Sequence, residues 1–365
     1  MKKSKISVIV IAAFVTIVAL ANIILPDGSY SLTERRRLAQ FPSLSVSNVL
    51  SGSFMSEYET YSQDQFIFRE QLRSLKAILN YKVFGRLENH GIYIQDGHAA
   101  KLEYEINLGS TSYAAKRFEY VYNTFIKDGN NKVYLSVIPD KTYYMGGGKY
   151  PVLDADAIAK DIAGKMPYAE YIDIKDMLRL DSYYKTDPHW RQEEIGSVAQ
   201  YILREMRDFK GFYNGDAVGK SLDVEYRGVY AGQAAYPMDS ETIYYLSSDT
   251  IDNARVFNYE TNKETGVYNF EKADGRDPYE FFLSGSISLL KITNPKSNTG
   301  RKLVMFRDSF GSSLAPLFIE AYDEITLVDI RYIQPETLGR FIEIKDSDVL
   351  FIYSSSVMNN SSTIK

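Results

Sequence analysis

The stretch RKLVMFRDSFGSSLAPLFIEAY, residues 301–322, restricts the fold more than any other part of the chain. Leu303 to Phe306 is an apolar run rich in β formers and of the length of a buried strand. Arg307-Asp308-Ser309-Phe310-Gly311 is a tight polar break. From Ser312 the apolar residues Leu314, Leu317, Phe318 and Ala321 follow at helical spacing. Strand, sharp turn and helix in that order place Ser309 at the carboxyl edge of a sheet, beside the first N–H groups of a helix. Such a turn exposes a nucleophile and offers donors to an oxyanion. Ser309 equally suits an ordinary turn or cap, where Asp-Ser is common.

A second stretch, Tyr183-Tyr184-Lys185-Thr186-Asp187-Pro188-His189-Trp190, contains one of the chain's three histidines and its single tryptophan. A serine nucleophile needs a base to take its proton and a carboxylate to fix the base's tautomer. Asp187 and His189, one residue apart, supply both. A purely structural reading makes Asp187 an N-cap and Pro188 the first helical residue, both favoured there. The readings are compatible, because a carboxylate has two oxygens.

The TDPHW segment, followed far downstream by RDSF, resembles the DHHW family of bacterial envelope proteins. It is also similar to the SGNH-hydrolase-like domains of alginate O-acetyltransferases. SLTERRRLAQFP, residues 31–42, resembles the lead-in of DHHW proteins, so the likeness spans most of the chain. It implies an α/β, SGNH-hydrolase-like domain: a flavodoxin-like, circularly permuted parallel sheet. It also implies a triad of Ser309 as nucleophile, His189 as base and Asp187 as orienting acid. The chain departs from the pattern in having Pro188 between Asp and His, and Arg307 where many members have Gly. It has no clear counterpart of the block that supplies an oxyanion Asn in ordinary SGNH esterases.

With 365 residues the chain can form one sizeable α/β domain with additions, or two small domains. A net charge of −5 without a broad basic stripe argues against a nucleic-acid partner. There is no cysteine, hence no disulfide, thiolate metal site or lipobox. Thirty tyrosines and nineteen phenylalanines could serve sugar faces, though strands and cores use the same residues.

In chain order, a basic Met1–Lys5 precedes Ile6–Leu25, a charge-free stretch long enough to span a bilayer. Lys2, Lys3 and Lys5 put the N-terminus inside and the remainder outside a bacterial cell membrane. An uncleaved anchor is expected; cleavage near Ala21, releasing a secreted protein, is the alternative. Residues 26–105 are read as a linker with a helical and hairpin lead-in. Phe54–Phe84 is expected to be helical, and Asn89–Leu102 a hairpin turning at Asp96-Gly97. His90 and His98 are read as surface or hairpin residues without zinc-ligand spacing, so no metal is expected. The α/β domain is assigned to 106–365.

Helices are expected at Ser112–Lys127 and Asp154–Met166, and strands at Lys132–Ile138 and Tyr168–Ile174. The first strand ends in Pro139-Asp140-Lys141, resembling the family's Pro-x-Lys loop and making Lys141 and Tyr144 further site candidates. A helix should run from Asp187 to about Phe209. Residues 210–300 read as a β-rich insertion, with Tyr230, Tyr236, Tyr279 and Phe281 as candidates for sugar contact. After the Ser309 helix come a strand at Glu324–Asp329, a helix at Pro335–Ile344, a closing strand at Asp348–Tyr353 and a loose tail. Gly311, Trp190 and Arg307 are candidates for oxyanion or substrate contact.

These readings lead to an extracellular, membrane-anchored O-acyltransferase acting on a polysaccharide through an acyl-serine, with no cofactor. The resemblance implies acetyl as the group and a membrane-bound O-acyltransferase as its donor. Two alternatives remain: a carbohydrate esterase using the same triad, and a non-catalytic binding or assembly protein of the envelope.

Overall fold

The computed structural model describes residues 2–146, 148–207 and 217–365. The chain divides into two compact units, residues 1–90 with 231–238, and residues 91–230 with 239–365. The second unit starts at Gly91. The hairpin of Ile92–Gln95 and His98–Lys101 belongs to it because Ile92, Tyr93, Ala99 and Ala100 are buried there. Asp96 and Gly97 both have positive φ, 50° and 79°, as a two-residue turn of this kind requires. His98 is buried, not on the surface, and burial pushes its imidazole down to about 4.

The first unit begins with a helix, Lys2–Ile24. Its segment Lys5–Ile24 is 20 residues long, has a mean hydropathy of 2.7 and buries none of its residues, which fits a single-pass anchor or a signal segment. The expected Phe54–Phe84 helix is two helices, Ser53–Asp64 and Arg69–Ile78, with a break where Phe68 takes a φ of 60°. A wide turn, Leu79–Val83, ends the second.

The second unit is built on an eight-stranded sheet. In chain order its strands are β1 (Lys132–Ile138), β2 (Glu170–Tyr171), β3 (Arg255–Asn258), β4 (Lys263–Thr265), β5 (Leu289–Thr293), β6 (Lys302–Arg307), β7 (Glu324–Val328) and β8 (Asp348–Ser354). They lie in the order β4-β3-β5-β7-β6-β8-β1-β2. The run β7-β6-β8-β1-β2 is parallel throughout. Counted from β6 and wrapped through the chain ends, it has the order 2-1-3-4-5, that of a flavodoxin-like sheet. The chain thus enters such a sheet at its fourth strand, which is a circular permutation.

Alternation within the strands makes the core two-sided. Leu303 and Met305 pack into one apolar layer with the helix Gly196–Arg207, and Val304 and Phe306 into the other with Leu108–Val121 and Ala155–Lys165. At ~1.5–3 kcal/mol for each buried apolar side chain, β6 has little freedom to slip, and the turn after it is fixed in place.

Several elements differ from expectation. The insertion is partly structural: β5, β3 and β4 extend the sheet beyond β7 in antiparallel pairings. The expected strand 168–174 shortens to two paired residues. No helix starts at Asp187; it starts at Gly196, and its expected end near Phe209 lies outside the described residues. The carboxyl tail is packed, with Ile364 buried and its carbonyl accepting the Tyr113 hydroxyl at 3.0 Å.

Candidate active site

The turn after β6 leads straight into a short helix, Phe310–Leu314. Asp308 ties it down from a fully buried position. Its carboxylate accepts the Phe310 N–H at 3.0 Å and, from the neighbouring strand β8, the Ser354 N–H at 2.8 Å. Gly311 is needed for close approach, since a Cβ there would lie 2.6 Å from Cβ of Arg307. Its N–H, expected at an oxyanion, is engaged by the Asp308 carbonyl at 3.1 Å. The Ser312 N–H is engaged likewise by the Ser309 carbonyl. Ser309 stands at the carboxyl end of β6, which lies between β7 and β8 in the parallel part of the sheet. Open α/β sheets bind ligands outside the carboxyl ends of their strands.

The structure brings the three separated residues together. Oγ of Ser309 lies 2.7 Å from Nε2 of His189, and Nδ1 of His189 lies 2.6 Å from Oδ1 of Asp187. A carboxylate only accepts, so Nδ1 carries the proton and Nε2 of the neutral ring is free to accept from the serine. Asp187 is fully buried, whereas Ser309 and His189 are partly exposed. The Tyr279 ring stacks on the imidazole with centroids 4.1 Å apart, and Phe310 tilts against it at 4.9 Å.

The Asp187 loop is held by groups from elsewhere in this unit. Asp187 is not a helix cap; its carboxylate accepts the N–H of His189 at 3.1 Å and of Val229 at 3.0 Å. Glu241 accepts the N–H groups of Lys185 and Thr186 at 2.7 and 2.8 Å, and the Thr186 hydroxyl at 2.5 Å. The Gly228 N–H donates to that same hydroxyl at 2.9 Å. Gly228 sits so close that an added Cβ would lie 2.2 Å from Cβ of Asp187. The Ala99 N–H of the hairpin donates to the Lys185 carbonyl at 2.8 Å.

Lys141, a site candidate from the sequence, acts on the same loop from below. Its ammonium is completely buried and donates to the carbonyls of Tyr184, Lys185 and Asp187 at 3.0, 3.1 and 3.0 Å. Burial pushes it down to about 8, against the pull of Asp140, Asp187 and Glu241. Tyr144 turns away, its hydroxyl donating to the Lys175 carbonyl at 2.8 Å. Trp190 is buried, and its indole N–H bridges the His189 and Ser309 stretches through the Phe310 carbonyl and the Ser313 hydroxyl, at 3.1 and 2.8 Å. Arg307 is also buried, beside Asp329 at 3.6 Å, and burial lowers its pKa. Lys141, Trp190 and Arg307 are thus buried, and Tyr144 is half-buried. Tyr230, Tyr279 and Phe281 are core residues rather than sugar platforms. Tyr236 packs edge-on against Tyr81 in the N-terminal unit.

Glu241, Gly228 and Gln192 were missed in the sequence. Gln192 is buried, donating to the Ser313 carbonyl at 2.7 Å and accepting the Leu246 N–H at 2.8 Å. Glu241 stands 55 residues from Thr186 and in no motif with it. The one local hint was that Thr and Asp in tandem carry groups apt to pin backbone.

A flavodoxin-like sheet entered at its fourth strand, with a serine after its first and an Asp-x-His segment upstream, has an SGNH-hydrolase-like fold in permuted form. Among solved structures, the chain is similar to a DHHW family protein from Eubacterium siraeum, at 23% identity and TM-score 0.59, covering 76% of this chain and 95% of that one. It is similar to Bacillus cereus PatB1, solved with a sulfonyl adduct, at 17% identity and TM-score 0.59, covering 73% and 95%. The O-acetyltransferase domain of Pseudomonas putida AlgJ aligns at 10% identity and TM-score 0.44, covering 74% and 92%. No family model and no curated protein matches the chain.

Proposed function

We propose that the protein is a serine-dependent O-acyltransferase, anchored by Lys5–Ile24 with its α/β unit outside the cell, that acylates a polysaccharide. The observation carrying this reading is the continuous chain from Ser309 Oγ through His189 to the buried Asp187, with separations of 2.7 and 2.6 Å. Nε2 of His189 takes the hydroxyl proton as Oγ attacks the acyl carbonyl. The tetrahedral intermediate collapses as His189 returns that proton to the leaving group, giving an acyl-serine. A sugar hydroxyl then loses its proton to His189 and attacks the ester, and Ser309 regains the proton. Asp187 stabilises the imidazolium in each half-reaction and fixes its tautomer.

Acetyl as the acyl group and a membrane-bound O-acyltransferase as donor rest on the motif resemblance. With water as acceptor the same residues would make an esterase, so product partition separates the two activities. The detergent-solubilised full chain is incubated with 4-nitrophenyl acetate, with and without an oligosaccharide acceptor, beside Ser309→Ala. Serine-dependent turnover with an acetylated sugar supports the transferase. Acetate alone makes the protein an esterase toward that acceptor. Equal rates for wild type and Ser309→Ala would remove the nucleophile and favour a binding protein. A sulfonyl fluoride supplies an independent readout, as a mass increment on Ser309.

A further inference from the structure

The N-terminal unit buries one carboxylate among its ion partners and exposes several large apolar side chains. Asp64, only 6% exposed, accepts both terminal guanidinium nitrogens of Arg36, at 2.6 and 2.7 Å, and the Ala39 N–H at 2.9 Å. Arg36 holds the Asp64 carboxyl below its ordinary range. Glu34 accepts from Arg69 and, at 3.1 Å, from Arg73, so the ERRR motif of the lead-in forms part of an ionic centre. Around this centre the apolar side chains face outward: Leu44 is 75% exposed, Val46 77%, Leu50 82% and Met55 64%. The helix Val46–Ser51 buries none of its residues. Water favours neither half of this arrangement, since it rewards apolar burial and solvates ions better than a protein interior does. Large apolar side chains exposed repeatedly along one short stretch, residues 41–55, mark a contact with something other than water.

The adjoining structure indicates what that contact is. The segment continues from the 20-residue apolar helix. Asn22, near the end of that helix, accepts the Ile67 N–H at 2.8 Å, which fixes the bend between the two following helices to the anchor's last turns. A groove of about 580 Å³ there is lined by Ala19 and Ile23 of the anchor together with Phe41, Tyr58 and Phe66. At 1.5 Å per residue, Ala19 lies about 8 Å before Ile24 along the helix axis, so the groove stands at the carboxyl end of the anchor, next to the membrane boundary. Aromatic rings collect at that boundary. Phe41 packs edge-on against Tyr58 and Tyr61, with centroids 6.0 and 5.3 Å apart. Glu57 and Glu59 remain exposed on the same unit, which suits the interface and not the hydrocarbon centre.

We propose that residues 41–84 form an interfacial apron whose apolar side chains lie in the bilayer leaflet next to the anchor's carboxyl end. The proposal rests on the anchor reading of Lys5–Ile24 and is independent of the serine chemistry. Its occupant is lipid, not a second copy of the chain or a protein partner.

The absence of cysteine makes the test clean. Leu44→Cys and Leu50→Cys, each in the full chain, are nitroxide-labelled and reconstituted in phosphatidylcholine–phosphatidylglycerol vesicles. Relaxation by oxygen, which enters lipid, is compared with relaxation by a water-soluble nickel chelate. Phe14→Cys reports on the span, and Phe341→Cys, 49% exposed in the α/β unit, is the aqueous reference. The proposal expects oxygen to dominate at positions 44 and 50, as at 14, with the opposite order at 341. Nickel access at both 44 and 50 while 14 remains lipid-exposed overturns the apron and leaves the anchor standing. Nickel access at 14 as well overturns both. Shielding of 44 and 50 from both relaxants replaces lipid with a protein contact and also overturns it.

Discussion

The two halves of the candidate site are stabilised in different ways. The Ser309 half is braced mainly by its own turn and the adjoining strand: Asp308 caps Phe310 and reaches Ser354, and Gly311 allows Arg307 to pass. The His189 half has no regular element beneath it. It is a loop held by a buried ammonium, a carboxylate and two backbone amides from segments distant in sequence. Ser309 therefore inherits its position from the sheet, whereas His189 depends on several polar contacts that must all form together. Sensitivity to substitutions outside the triad should concentrate on the His189 side.

The largest effects are expected from the proposed triad and set the scale. Ser309→Ala should abolish turnover, and Asp187→Asn should lower kcat by ~10³–10⁴-fold by presenting the wrong imidazole tautomer. Both should leave the circular dichroism spectrum unchanged. Next comes Gly228→Ala, whose new methyl must displace Asp187 or the Thr186 backbone. Displacement on the ångström scale costs about 10²-fold in kcat. A fully active Gly228→Ala would break the contrast, because the loop would then tolerate movement.

Glu241→Gln keeps the shape but weakens three charge-assisted bonds, and about a tenfold fall in kcat with KM little changed is expected. A double-mutant cycle with Thr186→Val sharpens this. The two losses should couple by ~1 kcal/mol, since both act through the same hydroxyl. Simple additivity would show that Glu241 does not act through Thr186.

The smallest effect concerns pH. Burial depresses Lys141 to about 8, so it loses its proton there rather than in the ordinary lysine range. Below that pH three N–H bonds hold the loop; above it the neutral amine keeps two. Activity should therefore fall a few-fold as pH rises from about 7.5 to 9, with the secondary structure intact. A profile flat through this range would show that the third bond is dispensable. For stability the sign is opposite. The unfolded state binds more protons between about 8 and the ordinary lysine value, so the penalty of the buried charge fades as pH rises through that window.

Much of the fold was legible in the sequence, because the strands that matter are short, continuous apolar runs. β1, β6, β7 and β8 each fill both faces of a buried sheet, and nothing but an apolar run can do that. Where an element lacks that signature it was misread. β2 is two residues long and pairs only because β1 stands beside it. The Asp-Pro pair carries the local signal of a helix start, yet Asp187 is drawn to His189 and Val229, and the helix waits until Gly196. The tail looked loose because it is polar, but Ser361 exchanges hydrogen bonds with Ser110 and anchors it.

By itself the sequence determined the chemistry available: a serine at a strand-to-helix turn, an Asp-x-His unit, no cysteine, and an apolar segment of membrane-spanning length. These are local properties, fixed by residue type and spacing. Tertiary structure decided which polar groups meet. It gave Lys141 to three carbonyls and Glu241 to Thr186, engaged the Gly311 amide within its own turn, and paired Asp64 with Arg36 and Arg69 in the N-terminal unit. The physical reason is that a hydrogen bond depends on two atoms arriving within about 3 Å, and sequence spacing does not encode that arrival for residues brought together by folding.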